Sequence, residues 1–338
     1  MRGAAGAPRS RFPSTARHAE HVRVPTEAAG ERLDRFLSHR LEVPRNQLQR
    51  WIDEGRVRVD GLTTKASHRL SADEQIEWDS PAPPTDDRLS PEPGELVVLY
   101  EDDALIAIDK PPGLTVHPGA GRSTGTLAHR LLARYPEIAG VGGPGRPGIV
   151  HRLDAGTSGV MVIARTPAAY QRLSRAFAAR EVDKRYLAIC HGVVREARDI
   201  DAPIGRHPTR RQEMTVRPGG RPARSRVRPL ATTISASLVE IELLTGRTHQ
   251  VRVHLKSLNH PLVGDPVYGE ARWKAASGSA RAALRDFARP ALHAWRLAFT
   301  HPTEDRRIEL ESPAPADIRD LWSALSSQEL DPLIRSRP

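Results

Sequence analysis

Apolar positions in this chain recur with two periods, and the period changes along its length. In "ERLDRFLSHRL", Leu33, Phe36, Leu37 and Leu41 fall at i, i+3, i+4 and i+8, one stripe of an amphipathic helix. "PRNQLQRWIDEG" follows, with Pro44 suited to a first helical turn and Gly55 to a C-terminal cap. Leu48, Trp51 and Ile52 are expected inward, Arg45 and Arg50 outward. "RVRVDG" then alternates, Asp60-Gly61 signals a tight hairpin turn, and Gln75 to Trp78 reads as a closing strand. The pattern predicts a compact module of two helices and a hairpin over residues 21–79, after a small, polar, arginine-rich start (residues 1–20) expected to be disordered.

Residues 80–93, "SPAPPTDDRLSPEP", have no periodicity and many prolines, as a semi-rigid linker does. Beyond them strands multiply: Leu96 to Tyr100, Leu105 to Asp109, Val160 to Ala164, Arg185 to Cys190 and Leu238 to Leu244. Helical patterns are interspersed, as in Pro167 to Arg180 with Tyr170, Leu173 and Phe177 on one face. The mixture predicts an α+β domain over residues 94–330, built on a mostly antiparallel mixed sheet with flanking helices.

One segment breaks the expected order of polar loop and apolar strand. In "GIVHRLDAGTSGVMVIART", His151, Arg152 and Asp154 stand directly before Gly159 to Ala164, an apolar run of the kind buried on both faces. Charges at such an edge are either solvated or matched by partners. A second cluster, "LLTGRTHQVRVHL", places Arg247 where an alternating strand hands over to a helix beginning near Thr248. A buried carboxylate needs a partner, and arginine supplies a permanent, bidentate one. A structural ion pair and a reactive carboxylate both fit these residues.

Composition narrows the choice. The excess of 51 Lys and Arg over 41 Asp and Glu, +10 in all, favours a polyanionic partner. Residues 206–228 alone hold eight arginines, Arg210 and Arg211 among them, against one acid, Glu213, and are expected to form an RNA-phosphate surface. Aromatics at 4% leave little room for a repeated base-stacking platform. A single cysteine, Cys190, excludes an internal disulfide framework and multi-cysteine metal sites, and suits a reducing, cytoplasmic setting. No apolar run is long enough to span a membrane.

Three chemistries fall away. "GVGGPGRPG" satisfies G-x-G-x-x-G through Gly140, Gly142 and Gly145, yet Pro144 and Pro147 forbid the helix start that dinucleotide binding needs. The histidines never pair at i, i+4 with a glutamate between, so no metal is expected. Ser158, His151 and Asp154 lie too close along one segment for a hydrolase triad, and Ser158 lacks the nucleophile elbow.

Residues 32–61 resemble the S4 RNA-binding domain, with Pro44 in place of its usual serine and Asp60 in place of its asparagine. The motifs "DKPPGLTVHPG", "HRLDAGTSG", "KRYLAICHG", "TGRTHQVRVHL" and "HPLVGD" together resemble the RluA family of RNA pseudouridine synthases over about residues 95–302. Ala155 stands where many members carry lysine. "VHPGAG", "PIGRHPTRRQEM" and "HPLVGDPVYG" are similar to the subgroup acting on the large ribosomal subunit.

The resemblance implies isomerisation of uridine to pseudouridine in RNA without a cofactor. It implies Asp154 as the carboxylate that attacks the target nucleotide, Arg247 as its orienting partner and Tyr186 as the residue that stacks on the target base and can assist a proton transfer. Arg152 would fill the place of the extruded uridine; on charge and position, the helix-borne Arg45 and Arg50 and the clustered Arg210 and Arg211 are expected to bind RNA. The expected partner is large-subunit rRNA in a pre-ribosomal particle, met by a monomer; the alternatives are the same activity on tRNA, or a non-catalytic S4-type RNA-binding protein of ribosome assembly.

Overall fold

The computed structural model describes residues 20–41, 43, 45–79, 89–119, 122–143, 145–210 and 212–335. The expectations for residues 1–19, Pro44, most of the proline-rich linker and Arg211 therefore lie outside the described residues. The chain divides into two compact units, Met1–Asp87 and Arg88–Pro338.

In the first unit, β1 (Glu20–Arg23), α1 (Leu33–Leu41), α2 (Arg45–Asp53), β2 (Val57–Val59), β3 (Leu62–Thr63) and β4 (Gln75–Trp78) follow in order. The strands pair antiparallel as β1-β4-β2-β3. Leu33, Phe36 and Leu37 of α1 and Leu48, Trp51 and Ile52 of α2 bury together against Val57, Ile76 and Trp78. The helical stripe therefore packs on the sheet as the periodicity predicts. Asp60 and Gly61 both take positive φ, 49° and 76°, the two-residue turn that matches strand twist. The Asp60 carboxylate accepts the Gln75 amide at 2.9 Å, tying the turn to the start of β4.

The second unit is built on one sheet: β5 (Val97–Glu101), β6 (Leu105–Lys110), β7 (Ser158–Ala164), β8 (Asp183–His191), β9 (Arg198–Asp201), β12 (Arg224–Thr232), β13 (Ala236–Leu243), β14 (Leu292–Thr300) and β15 (Arg307–Glu311). β10 (Ile204–Arg206) and β11 (Met214–Val216) form a separate hairpin. The order is β5-β6-β7-β14-β8-β13-β12-β9, with β15 on β14, and the β7–β14 pair alone among these is parallel. α3 (Leu127–Arg134), α4 (Pro167–Ala179), α5 (Gln250–Ser257), α6 (Gly278–Asp286), α7 (Ala316–Ser326) and α8 (Asp331–Arg335) complete the unit.

The pleat sends alternate residues of β8 to opposite layers. Leu187 and Ile189 join Ile318, Leu321 and Trp322 of α7. Ala188 and Cys190 join Val251 and Leu255 of α5. All seven residues of β7 are buried, with α3 and α4 packed in the same core. Leu89 packs against that core, and the Glu92 carboxylate accepts the Gly125 amide at 2.8 Å, so the end of the proline-rich stretch is docked.

Gly159 explains why small residues precede the apolar run. Its φ is +116°, and a Cβ there would meet the Ala294 carbonyl oxygen at 2.2 Å, where β7 runs beside β14. The strand that carries the charged segment can approach β14 only through a residue without a side chain.

Candidate active site

His151 to Asp154 run extended into β7 and are pinned from one side. The Val162 amide of β7 donates to His151 Nε2 at 3.0 Å, and the imidazole stacks on Phe177 of α4 with ring centroids 4.5 Å apart. Burial, with some help from Lys184, pushes the His151 pKa down to about 3, so it remains the neutral acceptor that this bond requires. Leu153 is buried while Arg152 is exposed, and Asp154 lies partly open at 22% side-chain exposure. The alternation predicted from the sequence therefore sends both charges outward from one apolar anchor.

The partner of Asp154 is Arg252. Arg252 Nη1 donates to Asp154 Oδ2 at 3.0 Å, while Nε and Nη2 donate to the two oxygens of Asp265 at 2.7 and 2.8 Å. Asp265 is wholly buried and also accepts the Val267 and Tyr268 amides. Arg252 lies over the Tyr268 ring, 4.9 Å from its centroid. These carboxylates hold its guanidinium pKa above the ordinary value against the opposing effect of burial.

Arg247, expected in that role, is placed otherwise. Its Nε donates to the Pro222 carbonyl at 3.0 Å, and its backbone amide donates to Gln250 Oε1. The reason is where the helix starts. His249 caps α5 with a left-handed φ of 57°, so Arg247 is still in the turn while Arg252 is the third helical residue. Gln250 locks that turn, accepting also from Thr245 Oγ1 and donating to the Arg224 carbonyl and Ser225 Oγ.

Two cavities meet at Asp154. The larger, about 970 Å³, is lined by Arg152, Arg210, Glu213, His249, Arg252 and Arg289 among others. The smaller, about 390 Å³, is lined by His151, Arg152, Phe177, Arg180, Lys184, Tyr186, Arg247 and His249 among others. Tyr186, on β8, belongs to the smaller one. Burial, followed by the Asp154 charge, pushes its phenol well above the usual pKa, so it keeps its proton and presents a neutral, flat ring to the cavity. His249 Nδ1 lies 2.8 Å from the Tyr268 hydroxyl, and its Nε2 is 3.9 Å from Asp154.

The loop after Asp154 is held from beneath. Lys110 Nζ, wholly buried, donates to the carbonyls of Pro111, Leu114 and Ala155 at 2.8, 2.9 and 3.1 Å. Burial and then the nearby Arg289 push its pKa down to about 7, with Asp154 and Asp109 opposing. Arg289, paired with Asp317 at 2.6 Å, donates to the Gly156 carbonyl at 3.2 Å.

The remaining RNA-binding candidates separate by charge pairing. Arg152 and Arg50 have no acidic partner among the described residues. Arg45 is tied down: its Nη2 donates to Asp34 Oδ2 at 2.8 Å, and Asp34, fully buried in α1, also receives Arg32 and Gln49. Arg210 pairs with Glu213 at 3.0 Å at the rim of the larger cavity. The eight-arginine stretch is less bare than its sequence suggests. Arg224 and Arg226 meet Asp201 and Asp199 of β9, and Arg226 and Arg228 meet Glu242 and Glu240 of β13, because antiparallel registry brings those carboxylates alongside. Ser158 bonds to His293, not His151, which disposes of the triad.

Sequence reasoning missed Arg252, Asp265 and His249. A signal was present: Arg252 lies between Val251 and Val253 in a helix of consecutive buried residues, and a charge so enclosed requires a buried countercharge. Among the described residues no group of His, Cys, Asp and Glu is arranged to hold a metal, and no helix is long and apolar enough to cross a membrane.

Comparison with known proteins points one way. Residues 104–257 match the family model described as RNA pseudouridylate synthase, and residues 31–76 match the S4 domain. The chain is 43% identical to ribosomal large subunit pseudouridine synthase D of Neisseria meningitidis serogroup B, over 89% of this chain and 80% of that protein. It is also 43% identical to the protein of the same name from Xanthomonas campestris pv. campestris, over 89% and 91%. Among solved structures, it is similar to human RNA pseudouridylate synthase domain containing 1, with a TM-score of 0.55 and 29% identity, covering 73% of this chain and 98% of that one.

Proposed function

The chain belongs to the RNA pseudouridylate synthase family, and from that premise we propose that it isomerises uridines of large-subunit ribosomal RNA with Asp154 as the catalytic carboxylate. The reaction breaks the bond from C1′ to N1, turns the uracil and joins C1′ to C5; the C5 proton leaves and N1 regains one. Nothing is oxidised and no water is consumed. The site must present a carboxylate to the ribose, retain the free base and receive a nucleotide drawn out of its helix.

The observation that carries this reading is Asp154 itself, a partly exposed carboxylate at the meeting of two cavities, held by one nitrogen of a buried guanidinium. Such a carboxylate is oriented yet keeps an oxygen free to reach C1′ as a nucleophile or the C2′ hydrogen as a base. Tyr186 forms a flat wall for the uracil and holds a proton beside it. Arg152, exposed and without an acidic partner, is suited to fill the stack that the uridine leaves. Residues 21–79 serve as the S4 RNA-binding domain and 94–330 as the catalytic domain. The rRNA substrate is supported by relatives named for the large ribosomal subunit at 43% identity.

The test is tritium release from RNA labelled at uridine C5, run on large-subunit rRNA, pre-ribosomal subunits and tRNA with wild type and Asp154→Asn. Release from either ribosomal substrate by wild type alone, without free uracil, is expected. Release only from tRNA would move the substrate, and activity surviving in Asp154→Asn would remove Asp154 from the chemistry.

A further inference from the structure

The smaller cavity carries more positive charge than its chemistry requires. Arg152, Arg180, Lys184 and Arg247 line it against a single acid, Asp154, and that acid is already matched by Arg252. Among the described residues no carboxylate lies within ion-pair distance of Arg180, Arg247 or the neighbouring Arg221. Burial, followed by Arg221 and Arg180, lowers the Arg247 pKa, so these cations face one another uncompensated. Arg180 is exposed and Arg247 half-buried, so both guanidinium groups are open to an anion entering the cavity, and their mutual repulsion favours one that sits between them.

The backbone argues independently for the same place. α4 ends at Arg180 in the left-handed conformation, φ 67° and ψ 31°, a capping position that ordinarily falls to glycine. His249, which lines the same cavity, is also left-handed. Two side chains thus occupy strained backbone at one wall, where glycine would fit without strain. Arg247 is also aimed in advance: its Nε is committed to the Pro222 carbonyl, and its two terminal nitrogens make no bond within the described residues.

We propose that Arg180 and Arg247, with Lys184 adding to the field, form a subsite for a backbone phosphodiester flanking the target uridine. The inference rests on the reading of the Asp154 cavities as the nucleotide site. It assigns Arg247 to substrate binding, where the sequence suggested an orienting role for Asp154. Paired terminal guanidinium nitrogens match the two free oxygens of a phosphodiester.

Arg180→Gly separates binding from folding, because it removes the charge and relieves the backbone together. Binding of transcribed large-subunit rRNA is measured over a salt series for wild type, Arg180→Gly, Arg180→Lys, Arg247→Gln and Arg198→Gln, with melting temperatures in parallel. Loss of one phosphate contact flattens the slope of log K against log salt by about 0.7 to 0.9. That flattening is expected for Arg180→Gly and Arg247→Gln. Arg180→Lys and Arg198→Gln, which lies on β9 outside the cavity, are expected to keep the wild-type slope, and Arg180→Gly to melt no lower than wild type. Wild-type slopes in both Arg180→Gly and Arg247→Gln would overturn the subsite while leaving the enzyme's function in place. Failure of wild type to release tritium from ribosomal RNA would instead defeat the reading on which it rests.

Discussion

Arg252 meets Asp154 through one nitrogen, at 3.0 Å, because its other two are committed to Asp265. The ion pair is thus the exposed end of a chain whose inner end is anchored by backbone amides of Val267 and Tyr268. The first six residues of the helix that supplies Arg252 are all buried, so the guanidinium has little freedom to follow a displaced carboxylate.

Arg252→Lys is expected to lower kcat about 100-fold or more, since one ammonium cannot hold two carboxylates in the planar geometry of a guanidinium and small displacements of a reacting group cost that much. Asp265→Asn, at a side chain wholly buried behind Arg252, should fall in the same direction by loosening Arg252. Arg247→Lys, by contrast, should raise KM more than it lowers kcat. Single-turnover and steady-state tritium release separate these outcomes; equal loss of kcat in Arg247→Lys and Arg252→Lys would refute the assignment.

Tyr186 is expected to remain a phenol throughout the working pH range. Burial and the neighbouring Asp154 raise its pKa above the usual 10.0, so any stability it adds is complete below pH 10 and fades only as pH climbs through the raised value. Tyr186→Phe should therefore lower activity without altering the alkaline limb of the pH–rate profile up to about pH 10. Phenolate absorbance checks the titration directly: the difference between wild type and Tyr186→Phe should be absent at pH 10, and its presence there would contradict the proton-donor role.

Much of this arrangement was legible in the sequence. The inward stripes of α1 and α2 and the buried run of β7 follow from apolar spacing, which is a local property of the chain. So does the placing of Arg152 and Asp154 on one side of Leu153. What could not be read was pairing between distant segments. Arg45 reads as an outward cation until folding brings Asp34 of α1 beside it. The arginines of β12 read as bare until β9 and β13 bring their carboxylates into register. The exchange of Arg247 for Arg252 has the same origin: both follow the same strand, and only the onset of α5 decides which one turns toward Asp154.

Gly159→Ala should prevent normal folding of the catalytic unit. The added methyl would lie 2.2 Å from the Ala294 carbonyl oxygen, backbone against backbone, at a φ of +116° that side chains rarely adopt. The backbone conformation alone costs about 1–3 kcal/mol, and the steric conflict adds to it because β7 is paired on both edges. The expected result is loss of soluble protein or a large fall in melting temperature. A Gly159→Ala protein with wild-type stability would mean that β7 and β14 do not run this close.

In the S4 unit, Asp34 concentrates the acid sensitivity. Its carboxylate is buried and receives Arg32, Arg45 and Gln49. Hydrogen bonding from Arg32 leads the interactions that hold its pKa far below the usual 3.8, against the cost of burial. A carboxylate with a depressed folded pKa stabilises fully above its unfolded value and loses that contribution as pH falls toward the folded one. Hydrogen exchange across residues 20–79 of the full chain should accordingly show protection that is flat above about pH 4 and declines below it. Asp34→Asn should reduce protection in this unit at neutral pH and flatten the acid decline, because the charge that the arginines enclose is gone. It should leave tritium release from saturating RNA near the wild-type rate, since the proposed catalytic carboxylate, Asp154, lies in the other unit. An unchanged acid profile in Asp34→Asn would show that the two arginines and Gln49 are held by something other than this carboxylate.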